Sequence, residues 1–139
     1  MHHVVFLRRV QELGDMDSRE AAERAVRATF ETLAERVTQG ATTHLAAQLP
    51  RELAQYLLRR GPRVQELSTD EFWSHVGHRE RVQTADAIRH ARAVFQVLRE
   101  AVSAGEMEHF AAELPASLRA QLDIDRPDPR PSGGAELRA

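Results

Sequence analysis

The sequence has no cysteine, no lysine and no asparagine. Without cysteine there can be no disulfide, no thiolate metal ligand and no cysteine nucleophile. A reducing cytoplasm is the expected compartment, although a cysteine-free chain survives elsewhere. All 19 basic residues are arginine, a bias we read as genomic, expected of a GC-rich bacterium, with no mechanism attached. Aromatic residues make up only 5%, too few for a platform on which single-stranded bases could stack. A net charge of −2 and a pI near 6.4 lack the basic excess of a nucleic-acid binder. No apolar run approaches the roughly 20 residues of a membrane-spanning helix. The opening MHHVVFLRRVQEL has too short an apolar run, and meets charge too soon, to be read as a secretory signal. A glycine-rich phosphate loop and a nucleophile elbow are also missing. No enzyme and no cofactor are therefore expected.

What remains is an ordinary soluble composition, 42% hydrophobic and 29% charged over 139 residues. That length suits one domain with one substantial core. The dominant feature is a repeat. Residues 27–57 (RATFETLAERVTQGATTHLAAQLPRELAQYL) return as residues 92–122 (RAVFQVLREAVSAGEMEHFAAELPASLRAQL), and 14 of the 31 paired positions are identical. The displacement is 65 (Phe95 − Phe30), and matching length, order and chemistry mark an internal duplication.

Hydrophobic spacing gives the elements. Phe6, Val10 and Leu13 form the stripe of a short helix over 4–13, ended by Gly14 and Asp15. Asp17-Ser18-Arg19-Glu20 offers a cap with a glutamate at capping-box spacing. Ala22, Val26, Phe30, Leu33 and Val37 then predict a helix of about five turns. Gly40 either lies beyond that helix or follows Thr38 as a cap of the next one, and the Ser103-x-x-Glu106 pattern favours the second arrangement. A short helix carrying Leu45, Ala46 and Leu49 precedes another that starts at Pro50 and is faced by Leu53, Leu57 and Leu58. Arg59 to Arg63 read as a helix stop and linker. Ser68-Thr69-Asp70-Glu71 begins the series again, with Phe72, Trp73 and Val76 matching Phe6, Leu7 and Val10 at a displacement of 66 (Phe72 − Phe6). Thr84 or Asp86 opens the second long helix. The expected fold is all-α: one bundle of about eight helices built from two tandem four-helix pseudo-repeats. The domain spans 1–124, with repeats of about 3–60 and 68–122, and residues 125–139 read as a disordered Pro- and Gly-rich tail.

FLRRVQELG, AERAVRATFETLAERV and HLAAQLPRELAQYL, followed by DEFWSHV and VLREAVSAGEMEHFAAELPASLRAQL, resemble a bacterial family. It is the domain of unknown function numbered twenty-two sixty-seven. The resemblance covers about residues 4–122, with the Gln-Leu-Pro and Glu-Leu-Pro segments in order, and implies an all-helical, duplicated domain of prokaryotic proteins. It carries over no activity, cofactor or catalytic residue.

Several constellations invite chemistry. Glu106-x-x-His109 has the form used by carboxylate-bridged di-iron bundles, but the first copy has Ala41-x-x-His44 there, so the second motif is missing. Glu71, His75 and His78 fall on one helical face, yet Phe72, Trp73 and Val76 claim the buried side, which puts the histidines at its edge or in water. No metal site is therefore expected. Arg27, Glu35 and His44 recur as Arg92, Glu100 and His109, the only polar side chains identical across the compared window. These six are the candidate binding residues. They form a pseudo-symmetric polar site across the halves, or each set ties its own helices together, which is the commoner use. Arg59, Arg60 and Arg63 form a small basic cluster, read as a solvated linker. The functional expectation is a non-catalytic interaction or scaffold module of the bacterial cytoplasm. Its partner is an unidentified protein or a second copy of the chain, and neither nucleic acid nor membrane. The alternative is a metal- or small-ligand-binding protein using the His44/His109 region.

Overall fold

The computed structural model of the chain describes residues 1–58, 61–64, 66–127 and 129–130. Arg59 and Arg60 of the basic cluster, and residues 131–139 of the tail, lie outside the described residues. Eight helices and no strand occur among the described residues: α1 His3–Leu13, α2 Arg19–Arg36, α3 Gln39–Ala46, α4 Arg51–Leu57, α5 Thr69–Glu80, α6 Thr84–Ala101, α7 Ala104–Ala111 and α8 Ala116–Leu122. Their lengths run 11, 18, 8 and 7 residues, then 12, 18, 8 and 7. None is long and apolar enough to cross a membrane.

Local chemistry sets the boundaries. The Ser18 hydroxyl accepts from the Ala21 amide and caps α2, so the cap is Ser18 rather than Asp17. Thr38 caps α3 through Ala41, which places Gly40 inside that helix. Ser68 and Glu71 form a full capping box at α5. Ser103 caps α7 by accepting from the Glu106 amide at 3.1 Å. Pro50 and Pro115 each stand one position earlier than the first turn, as the N-cap. Their carbonyls accept the first amide bonds of α4 and α8. Between α1 and α2, and again between α5 and α6, the chain reverses through a left-handed residue, Asp15 at φ 52 and Arg81 at φ 65. The one-residue difference in repeat displacement lies in this turn.

The buried side chains form one cluster that draws on every helix. Phe6, Phe30, Phe72, Trp73, Phe95 and Phe110 are among its largest members. Each fully enclosed large apolar side chain contributes roughly 1.5–3 kcal/mol. Two residues assigned to apolar stripes are not in it: Leu13 and Leu58 are 44% and 49% exposed. Both sit at the last residue of a helix or just beyond it, where the stripe has run past its neighbour.

The arrangement is interlocked. Besides its own long helix, α1 packs on α6 of the other half, and α5 packs reciprocally on α2. The two long helices touch in the middle, and α3 meets α7 at one edge. The link between halves also contributes: Leu67 is buried, its carbonyl accepts from Arg36, and the Val64 amide donates to the Glu35 backbone carbonyl at 2.7 Å. The end of the domain and the first residues of the expected tail make contacts too. Ile124 is 9% exposed, the Arg126 carbonyl accepts from Arg99, and Arg130 donates to the Arg99 and Val102 carbonyls. Ile124 closes the expected domain, and of the expected tail the described residues 125–127 and 129–130 lie against the end of α6. Ile124 supplies the apolar anchor, and carbonyls at the end of α6 accept the arginine donors that follow.

Candidate functional site

The edge where α3 meets α7 brings the two halves together with matching parts. The amide group of Gln48 reaches the start of α7: its Nε2 donates to the Ser103 hydroxyl at 3.4 Å, and its Oε1 accepts from the Ser103 amide at 2.8 Å. From the other side, the Thr38 hydroxyl donates to Glu113 Oε1 at 3.3 Å. Gln48 and Glu113 are equivalent positions, as are Thr38 and Ser103, since each pair differs by 65. Each half thus holds the cap of the other's short helix. His44 and His109 stand between these bonds, both exposed, with ring centroids 6.3 Å apart and planes at 61°.

The other four duplicated polar residues are not in this patch. Glu35 accepts from Arg79 at 2.8 Å and lies 3.3 Å from His75 Nδ1, both on α5. Glu100 accepts from Arg9 on α1 at 2.8 and 3.2 Å. Each therefore fastens a long helix to the first helix of the opposite half. Arg79 holds the Glu35 carboxyl below its ordinary range chiefly by its hydrogen bond, and Arg9 does the same for Glu100. Arg27 lies 5.5 Å from the Tyr56 ring centre and donates to Glu31 at 3.1 Å. Arg92, its counterpart, donates to the carbonyl of Gln121, the residue equivalent to Tyr56. Both arginines tie the long helix to the last helix of their own half.

Glu71 spends its carboxylate on the Ser68 amide, His75 faces Glu35, and His78 is exposed. No group of three or more metal-capable side chains forms among the described residues.

The family model described as an uncharacterized conserved protein, DUF2267, matches residues 3–121. The chain belongs to the DUF2267 family. No curated protein matches it closely enough to count.

This DUF2267 chain also buries a polar pair that the repeat does not reveal. Glu80, at the end of α5, is 3% exposed, and His90 on α6 is 8% exposed. Glu80 Oε2 and His90 Nδ1 are in close hydrogen-bond contact, and the other carboxylate oxygen, Oε1, has no partner among the described residues. His90 Nε2 faces Arg89 at 3.2 Å. Burial pushes the Glu80 carboxyl up, and the His90 bond offsets this in part. The equivalent positions in the first half are Gly14 (80 − 66) and Ala25 (90 − 65), so comparing identities between copies passes over the pair. The usable signal is the reverse one, two ionisable residues on faces that are otherwise apolar.

Proposed function

We propose that the protein is a non-catalytic interaction module of the bacterial cytoplasm that presents the α3–α7 edge to a protein partner. One observation carries this reading. Of the six polar side chains repeated identically, four are engaged in hydrogen bonds or ring contacts with other parts of the chain, whereas His44 and His109 are exposed and adjacent to each other although 65 positions apart. Two imidazoles framed by Gln48, Ser103, Thr38 and Glu113 offer donors, acceptors and flat ring faces, the chemistry of a polar protein contact. The test is capture of partners from the native host with the intact chain and with the double variant His44→Ala/His109→Ala. Specific partners should be lost from the variant while its thermal midpoint is unchanged, as befits an exposed pair. An identical set of partners on both chains would overturn the reading.

A second reading, metal or small-ligand binding, rests on the same juxtaposition. Two imidazoles supply half of the four ligands usual for structural zinc. Titration with zinc distinguishes the two: stoichiometric, histidine-dependent uptake favours the second reading, and its absence favours the first.

A further inference from the structure

The groove formed by the end of α6, by α7 and by the residues after α8 encloses a cavity of about 400 Å³. Arg99, from the last turn of α6, lines it and is only 9% exposed. Its Nη2 donates to the Arg126 carbonyl at 2.9 Å, and no carboxylate pairs with it among the described residues. A guanidinium has five N–H donors, and a buried one normally has an anion beside it. Among the described residues no carboxylate lies within ion-pair distance of it. The carboxylates among the described lining residues are Glu108 and Asp125, and Asp125 is taken by Arg119 at 3.1 Å. Met107 and Ile124 supply apolar wall next to the charge.

The first half provides an internal comparison. Its groove, of about 520 Å³, lies between the corresponding helices, with Ala34 in the place of Arg99 and Thr42 in that of Met107. Packing of the long helix on the short ones therefore works without a buried cation. Arg99 serves something other than that packing.

We propose that this cavity binds a small organic anion, with its carboxylate or phosphate oxygens on the Arg99 guanidinium and its apolar body against Met107 and Ile124. A planar guanidinium suits two-point contact with either acid group. The site is separate from the His44/His109 edge, so it stands or falls independently of the partner reading.

The experiment titrates the full chain with hexanoate, phenyl phosphate and, as the uncharged control, hexanol, at constant ionic strength. Calorimetry gives the affinity, and backbone amide shifts give the location. At least one of the two anions should bind saturably and shift residues around Met107, Ala111 and Ile124, and the better binder identifies the acid group. Arg99→Ala, which installs the first-half residue, should weaken binding roughly ten- to hundred-fold. Arg99→Lys, which keeps charge but loses the planar fork, should fall between. The proposal is overturned if neither anion binds at millimolar concentration, if hexanol binds as well as the anions, or if Arg99→Ala binds like the parent. Should the alanine variant fail to fold, the shift map on the parent decides: perturbations around Ala34 and Leu57, or anywhere but the Arg99 groove, defeat it.

Discussion

Phe30 and Phe95 occupy matching places on α2 and α6, and neither has any exposed surface. Truncation of either to alanine should cost roughly 3–5 kcal/mol, read as a loss in the denaturant midpoint at constant slope. A loss below about 1 kcal/mol, the size of a surface change, would contradict the enclosure. Glu80 calls for a different measurement. Burial raises its pKa above 4.5, so its contribution is fully present below 4.5 and is lost as pH rises through the folded-state value. The groups facing it are His90 and, at longer range, Arg24 and Asp86. Glu80→Gln stays neutral, so the variant should gain on the parent as pH is raised from 4 to 7. Urea unfolding at several pH values checks this, and a gap that narrows in the parent's favour would refute it. Both phenylalanines were legible in the sequence because helical spacing repeats them. The Glu80–His90 pair was not, since its burial depends on how α5 and α6 meet, and spacing within one helix carries no such information.

The first helix of each half connects the halves. Glu35 with Arg79 and Glu100 with Arg9 are partly exposed ion pairs, so solvent screening keeps the contribution of each small. Their pH signature is the opposite of Glu80's. Both carboxyls titrate below 4.5, so their contribution is present above 4.5 and fades as pH falls through the folded-state values. The double variant Glu35→Gln/Glu100→Gln should therefore lose less stability than the parent between pH 5 and 2. Parallel acid limbs in the two chains would show that these bridges contribute nothing. At the C-terminus, cutting after Leu122 should destabilise more than cutting after Arg130. The shorter chain loses buried Ile124 and uncovers Arg99, while the longer keeps both contacts. Equal thermal midpoints for the two truncations would contradict the packing of 124–127 and 129–130. Helix order and most caps could be read from Ser, Thr, Pro and the apolar stripes. The docking of 124–127 and 129–130 could not, because several of its bonds run between arginines and backbone carbonyls, which every helix end offers.

At the scale of the molecule, each half leaves apolar surface that the other covers, and the buried hydrophobic side chains among the described residues belong to one cluster. Residues 1–124 should therefore unfold in a single cooperative transition. Fragments 1–62 and 63–124, each small for independent stability, should be molten or self-associating by circular dichroism and sedimentation. Two resolved transitions, or one sharply folded monomeric fragment, would show that the interlock is dispensable. The same interlock has a consequence in time. The α1 face bearing Phe6, Leu7 and Val10 needs α6, which ends at Ala101. On a translating ribosome the start of the chain therefore waits for some 88 further residues (101 − 13). At about 5–20 residues per second that is roughly four to eighteen seconds. Throughout this interval a short apolar helix stands without its second partner, which makes the newborn first half a client for any chaperone near the exit tunnel.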